Sequence, residues 1–126
     1  MGYRSQVVLA ISKHLTPFLT LATSQNADAQ TLVFKHADTF NRDYDGEKSW
    51  LFVWDSIKWY ESYEDIQTLE LFIQKANSDE FEFEVDGKAQ SSCEHMRFVR
   101  VGEETGDVEM MGDGFWDIYP TTHICY

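Results

Sequence analysis

The residues best suited to metal chemistry in this chain are two close pairs of Cys and His. Cys93 and His95 are separated by one residue, as are His123 and Cys125. On β-strands this spacing puts both side chains of a pair on one face, so pairing of the two strands would bring four soft ligands together. Structural zinc sites more usually draw ligand pairs from tight turns, because flat strands hold their side chains nearly parallel. We therefore expect reduced thiols and partly buried histidines, with zinc as the weaker alternative, and no cofactor.

A second metal pattern lies at Asn41, Asp43, Asp45 and Gly46, which match the first half of a calcium-binding loop. The twelfth position of such a loop carries a bidentate glutamate, and here it is Phe52. Asp-Gly favours a tight hairpin turn. The sequence therefore predicts a hairpin turn at this point.

Catalytic motifs are missing from the sequence. It contains no glycine-rich phosphate loop, no nucleophile elbow and no HExxH helix. Residues 102–107 include two glycines, but the two glutamates between them would repel phosphate. We expect a protein without enzymatic activity.

Charge and composition limit the classes of partner. The chain has 126 residues, 43% of them hydrophobic and 15% aromatic, which suits one domain over residues 1–126. The net charge is −12. Residues 1–36 hold three basic residues and one acidic residue, whereas residues 37–126 hold 7 basic and 21 acidic residues. Such a field disfavours nucleic acid and anionic membranes and attracts basic surfaces. The alternative is that the acidity serves solubility alone.

Cysteine content and hydropathy favour a cytoplasmic location. Two cysteines are too few for a disulfide framework. The apolar stretch 7–11 is too short for a signal peptide, and no apolar run approaches the roughly 20 residues of a membrane helix.

Hydrophobic periodicity and turn residues predict the elements that must position these groups. We expect a strand at 5–12, followed by two short helices with a break at 24–26, the first with Thr16 as its N-cap and Pro17 in its first helical position. We also expect a buried strand at 49–54, a helix at 62–77 capped by Ser62, and strands at 80–86, 96–101, 107–111 and 115–126. The fold class is α+β, with helices on one face of a mostly antiparallel sheet. A ferredoxin-like βαββαβ core with an added hairpin is the specific prediction.

Residues 54–63 crowd two Trp and two Tyr among charged residues. Trp and Tyr offer large rigid area with a polar tip, and they are enriched at the centres of interfaces. The alternative is that these rings cover the sheet edge and pack against the following helix. The candidate partner-binding residues here are Trp54, Asp55, Lys58, Trp59, Tyr60 and Glu61.

The acidic stripe, which we define as Glu80, Glu82, Glu84 and Asp86, alternates with apolar residues. On a strand its carboxylates would lie about 6.6 Å apart. Duplex DNA carries a charge every ~3.4 Å per strand, so one stripe is too sparse to imitate it. With Glu103, Glu104, Asp107 and Glu109 alongside, the stripe could form a nucleic-acid mimic, and a solvated sheet face is the alternative.

Three segments of the sequence are distinctive: Gly2-Tyr3-Arg4-Ser5, Trp54-Asp55-Ser56-Ile57-Lys58-Trp59-Tyr60 and Phe98-Val99-Arg100-Val101-Gly102-Glu103-Glu104. They resemble a family of small phage- and prophage-encoded proteins without assigned function. The similarity spans most of the chain, and residues 79–95 look like an insertion. The resemblance implies a phage-infected bacterial cell, where small acidic phage proteins often neutralise restriction or CRISPR systems by occupying a basic nucleic-acid groove.

We therefore expect a non-catalytic inhibitor of a host protein with a basic surface, anchored by Trp54, Trp59 and Tyr60. One alternative is a protein that sequesters a small nucleotide signal, which would require Arg4, Arg97 or Arg100 to converge on one site. Another is a minor structural protein of the virion. The sequence leaves the oligomeric state open.

Overall fold

The computed structural model describes residues 2–121 and 124–126. In chain order the elements are β1 (Ser5–Ile11), α1 (Thr16–Ser24), α2 (Ala27–Phe34), β2 (Thr39–Asn41), β3 (Trp50–Ile57), α3 (Glu64–Asn77), β4 (Glu84–Val85), β5 (Lys88–Ala89), a 3-10 helix (Ser92–His95), β6 (Met96–Gly102), β7 (Val108–Met111), β8 (Tyr119–Pro120) and β9 (Ile124–Cys125).

Five strands form the main sheet in the order β2-β3-β1-β6-β7, and each neighbouring pair is antiparallel. The chain order β1, α1–α2, β2, β3, α3, β6 and the spatial order 2-3-1-6 are those of a ferredoxin-like core. Strand β7 adds a hairpin to its β6 edge. The predicted α+β class is confirmed.

The helices cover one face of the sheet. Successive side chains of a strand point to opposite faces, so every second apolar residue of the central strands faces the helices. Val7, Leu9 and Ile11 of β1 point to the helices, together with Phe52, Trp54 and Phe98 of the neighbouring strands. The facing apolar residues come from the helices and from Leu15, which directly precedes α1. Those of the helices are Leu19, Leu32, Val33, Ile66, Leu69, Phe72, Ile73 and Ala76.

The opposite face is covered by the C-terminal segment. Val8 and Ala10 of β1 lie on this face and pack with Ile118 and Ile124. The single strand predicted at 115–126 is wrong, because β8 and β9, with two residues each, pair antiparallel with each other. They are the only strands among the described residues of this range, and residues 122 and 123 lie outside the described residues. Pro120 has no N–H to donate to a longer ladder. Coverage on both faces explains why residues 7–11 of β1 and 50–54 of β3 are apolar without alternation.

The strand predicted at 80–86 is also wrong, since only Glu84 and Val85 are in a strand. The alternation does predict burial, because Phe81 and Phe83 are half-buried against the core while the glutamates that alternate with them are exposed. Apart from the two-residue pairing of β4 with β5, no strand among the described residues pairs with this segment. The turn at Asp86-Gly87 is confirmed, with φ of 54° and 78°.

The helix predictions are confirmed except at their first residues. α3 begins at Glu64, after Tyr63, and no side chain caps it, so Ser62 is not the cap. Thr16 is likewise not a cap, because its hydroxyl donates to the Lys13 carbonyl. The predicted break does separate α1 from α2, where Asn26 accepts from the Ala29 N–H at 3.0 Å.

Candidate binding surfaces

One end of the sheet brings together residues 2–5, 54–60 and 98–104, three segments that are far apart in the sequence. Strand β1 lies between β3 and β6, so Ser5 is opposite Ile57 on one side and Gly102 on the other. Gly2 packs against Lys58 and the Tyr60 hydroxyl. Segments about 50 residues apart in sequence therefore meet at the start of β1.

Arg100 is the centre of this end of the molecule and is 8% exposed. Its Nη2 lies 2.6 Å from Asp107 Oδ1, its Nε donates to Glu109 Oε1 at 3.0 Å, and its Nη1 donates to Ser5 Oγ at 3.0 Å. We call this group the Arg100 cluster. It comprises Tyr3, Arg4, Ser5, Arg100, Glu103, Glu104, Asp107 and Glu109.

Tyr3 and Arg4 attach the N-terminus to the Arg100 cluster. The Tyr3 hydroxyl accepts from the Glu104 N–H at 2.8 Å, and the Arg4 N–H donates to Glu103 Oε1 at 3.2 Å. The guanidinium of Arg4 donates to the Ser56 carbonyl at 3.1 Å. These bonds link the N-terminus to both neighbouring strands.

Asp107 is a structural residue here, which corrects its prediction as a free acidic contact. Hydrogen bonds from Arg100 and from Tyr3 hold the pKa of this carboxyl below its usual value. Its charge is therefore largely compensated within the protein. The neighbouring Glu103 and Glu104 are exposed.

The prediction that Trp54 and Trp59 anchor a partner is wrong, because both rings lie in the core. Trp54 is 2% exposed and donates its Nε1–H to the Leu32 carbonyl at 3.1 Å. Trp59 is 7% exposed and donates to Glu70 Oε1 at 2.7 Å. Burial raises the pKa of Glu70, and the bond from Trp59 only partly offsets this.

The other predicted contacts in this segment lie nearer the surface. Lys58 and Tyr60 are half-buried, whereas Asp55 and Glu61 are exposed. The Asp55 N–H donates to Asp38 Oδ2 at 2.8 Å. The packing alternative therefore describes the two tryptophans, and the segment retains a charged outer side.

All four carboxylates of the acidic stripe are exposed. Their regular spacing of about 6.6 Å presupposed a strand, so that part of the mimicry argument does not apply to residues 80–83. The stripe instead follows an extended segment that lies over the helices. Residues 79–95 contribute no strand to the main sheet.

Few of the carboxylates in the described part of the chain form ion pairs with basic side chains. All but four of the 22 acidic residues are exposed, the exceptions being Asp65, Glu70, Asp107 and Glu109. Within residues 2–121 and 124–126, Arg100 makes the only ion pairs between side chains, to Asp107 and Glu109. The surface field is therefore negative with little internal neutralisation.

The Cys and His pairs do not lie on two paired strands. Cys93 and His95 belong to the 3-10 helix, and His123 falls outside the described residues. His95 Nδ1 lies 2.9 Å from Ser12 Oγ. The pKa of His95 is lowered, mainly by burial and to a smaller extent by the nearby His14.

The two thiols have separate neighbours. Cys93 Sγ lies 3.5 Å from Asp113 Oδ2. The pKa of the Cys93 thiol is raised, mainly by burial and to a smaller extent by this carboxylate. Cys125, in β9, lies 3.9 Å from Thr121 Oγ1. Among the residues that the structure describes, no three His, Cys, Asp or Glu side chains are grouped as metal ligands.

The calcium-like segment is a hairpin connection between β2 and β3, as predicted. Asn41 accepts from the Asp43 N–H at 2.9 Å, and Asp43 accepts from the Lys48 N–H at 2.8 Å. Asp45 accepts from the Ser49 hydroxyl at 2.7 Å. These oxygens stabilise the turn through bonds to its own backbone and side chains.

Of the three arginines named for an anionic ligand, Arg97 lies apart from the other two. Arg97 and Arg100 are three residues apart on β6 and so lie on opposite faces of the sheet. Arg97 donates to the Ile118 and Gly112 carbonyls, at 3.1 and 2.9 Å. Arg4 and Arg100 both belong to the Arg100 cluster, where the Arg100 guanidinium is already paired with Asp107 and Glu109.

A groove that the sequence did not predict lies between α1 and α3. We call it the helical groove. Its volume is about 440 Å³, and its apolar lining includes Phe18, Leu21, Leu71, Phe72 and Phe81. Leu21 and Leu71 lie outside the buried faces of their helices. Apolar residues at such positions in the helical period are the sequence signal that could have predicted an exposed apolar groove.

In the described part of the chain, no helix is both long and apolar enough to cross a membrane. Comparisons with protein-family models, with curated proteins and with solved structures find no match.

Proposed function

We propose that this protein is a non-catalytic acidic inhibitor that binds a basic surface of a host protein in a phage-infected bacterium. The observation that carries the proposal is the uncompensated acidity. The net charge is −12, and Arg100 makes the only ion pairs between side chains within the described ranges. Carboxylates that are not neutralised internally remain available to a cationic partner.

The target proposed is a nucleic-acid-binding protein of a defence system, such as a restriction or CRISPR complex. Such proteins hold nucleic acid through Lys and Arg side chains that contact phosphates. A negative protein surface competes for the same cations, and it also accelerates association by electrostatic steering. Occupation of the groove inhibits the target without any catalytic step.

Two acidic areas are the candidate contacts. The first is the acidic stripe, where Glu80, Glu82 and Glu84 project from an extended segment. The second is the rim of the Arg100 cluster, where Glu103 and Glu104 are exposed beside a rigid hydrogen-bonded base. The fixed base of the second area limits the entropy that is lost on binding.

The test is capture of partners from bacterial lysate on the tagged protein at low and high salt, read by mass spectrometry. The wild-type protein should retain a nucleic-acid-binding protein at low salt and release it at high salt. The purified partner should then lose nucleic-acid binding when the acidic protein is added.

Three sets of substitutions locate the contact. We compare Glu80→Gln/Glu82→Gln/Glu84→Gln with Glu103→Gln/Glu104→Gln. The control Glu47→Gln/Glu94→Gln/Asp117→Asn removes as many charges as the first set from exposed positions elsewhere. Loss of capture in one test set but not in the control supports the proposal. Capture that is indifferent to salt and to all three sets would overturn it.

A further inference from the structure

We propose that the helical groove is the docking site for an amphipathic, lysine- or arginine-rich helix of the partner protein. This inference rests on the proposed function, because it takes the partner to be basic. It adds a specific apolar contact to an interaction that would otherwise depend on charge alone.

The floor of the helical groove is rigid and aromatic. Phe72 is 1% exposed, and the ring centroids of Phe81 lie 5.3 Å from Phe72 and 4.8 Å from Phe18. Packed rings with fixed positions provide a preformed surface for a partner's side chains.

The walls of the helical groove are exposed aliphatic side chains. Leu21 of α1 is 64% exposed and Leu71 of α3 is 53% exposed, which makes them the most exposed large aliphatic residues in the described part of the chain. Both line the groove with the aromatic floor between them. A contiguous apolar concavity of this kind is typical of a binding site.

The dimensions suit a helix. On α3, Thr68, Leu71 and Lys75 line the groove, and Glu64 lies one turn before Thr68. The α3 residues that line the groove run from Thr68 to Lys75, seven steps along the helix or about 10.5 Å at 1.5 Å per residue. That length accommodates about two turns of a helix with apolar anchors at i, i+3 or i+4, and i+7.

Charge around the groove favours a cationic helix. Lys75 is the one charged residue in the lining, but three exposed carboxylates are close to lining residues in the chain: Glu80 and Glu82 on either side of Phe81, and Glu64 one helical turn before Thr68. A second copy of this chain would bring another −12 charge to the same place, which disfavours self-association. The complementary occupant has leucine-like residues on one face and lysine or arginine on the other.

The probe is a fluorescein-labelled peptide of about 14 residues, made of Leu and Lys, with leucines at helical spacing. A control peptide has the same composition, but Leu and Lys alternate, so it has the same charge without an apolar helical face. Binding is measured by fluorescence anisotropy. We expect the helical peptide to bind at least about tenfold more tightly than the alternating peptide.

The variant Leu21→Gln/Leu71→Gln should lower the affinity for the helical peptide at least about tenfold. The matched control is Val108→Gln/Met110→Gln on edge strand β7, where the two side chains are 38% and 49% exposed. The control should leave the affinity unchanged. Circular dichroism checks that both variants are folded. Backbone amide NMR shifts of the wild-type protein should change at residues 18–25 and 68–75 when the helical peptide is added.

Equal affinity for the two peptides, or shift changes outside the helical groove, would overturn the inference. Its failure is distinguishable from failure of the proposed function. If a host protein is captured in a salt-sensitive way and Leu21→Gln/Leu71→Gln does not weaken that capture, only the inference about the groove fails. If the helical peptide binds the groove but no host protein is captured in a salt-sensitive way, the proposed function fails.

Discussion

Tyr3 donates its phenolic hydrogen bond to Asp107 Oδ2 at 2.6 Å, although the two residues are 104 positions apart in the chain. The other carboxylate oxygen, Asp107 Oδ1, accepts a hydrogen bond from Arg100 Nη2 at 2.6 Å. The bond joins the N-terminal segment to the loop between β6 and β7. It explains why segments at both ends of the chain belong to one structural unit. It also means that this carboxylate stabilises the fold and is not a free contact.

The Arg100 cluster should be sensitive to the shape of its central cation. Lys at position 100 keeps the charge, but it cannot bridge Ser5, Asp107 and Glu109 together. We expect Arg100→Lys to lower the free energy of unfolding by about 1 to 2 kcal/mol. Urea unfolding followed by circular dichroism measures this. Arg42→Lys is the matched control, since Arg42 is exposed and lies over the Phe40 ring, and it should change stability by less than about 0.5 kcal/mol. Equal effects of the two substitutions would contradict the assignment.

Gly102 should be coupled to the same cluster. A Cβ at this position would collide with the Asp107 carboxylate and the Tyr3 hydroxyl. We expect Gly102→Ala to cost about 1 to 3 kcal/mol. The cost should be smaller in an Arg100→Lys background, because the cluster is already loosened. Gly46→Ala is the control, since a Cβ there meets open space at a φ of +79°, and its cost should be the same in both backgrounds. Strict additivity for Gly102→Ala would argue against the coupling.

Tryptophan fluorescence should separate the buried rings from the exposed one. Trp116 is 83% exposed, whereas Trp54 is 2% exposed. We expect Trp116→Phe to move the emission maximum to shorter wavelength and to remove most of the quenching by acrylamide. Trp54→Phe should move the emission in the opposite direction and should also lower stability, because the bond to the Leu32 carbonyl is lost. Efficient quenching that persists in Trp116→Phe would show that another tryptophan is accessible.

Glu70 should weaken the fold at neutral pH. Its folded-state pKa is raised, first by burial, so the ionised form is disfavoured in the folded protein. The destabilisation is present above the folded-state pKa and disappears as the pH falls below the unfolded-state value. Glu70→Gln keeps an acceptor for Trp59 without the charge. We expect it to raise the thermal unfolding midpoint at about pH 7 and to have no effect near pH 3. Glu61→Gln, at an exposed position, is the control. An equal gain at both pH values would contradict a role for ionisation.

Local patterns in the sequence determined the secondary structure of the core. Apolar residues in β1 and β3 predicted central strands, and the periodicity of Ile66, Leu69 and Ile73 predicted α3. Such patterns report which side of an element is buried, because burial repeats with the period of the element. The α+β class follows from the order of these elements.

The same reasoning failed where burial occurs without a strand partner. Phe81 and Phe83 alternate with glutamates, yet they pack on helices and a histidine ring and not within a sheet. Alternation in an extended chain sets which side chains turn inward, whereas strand formation also requires a neighbouring backbone. The sequence holds no local information on whether that neighbour is present.

Only the tertiary structure decided which candidate residues are available to a partner. Tryptophan is a residue type typical of interfaces, but Trp54 and Trp59 are buried in the core. Aspartate is typical of a free surface charge, but Asp107 is paired with Arg100 and accepts a hydrogen bond from Tyr3. The sequence by itself determined the net charge of −12 and the apolar periods. Exposure and ion pairing depend on residues distant in the chain, so they follow only from how the sheet and helices pack.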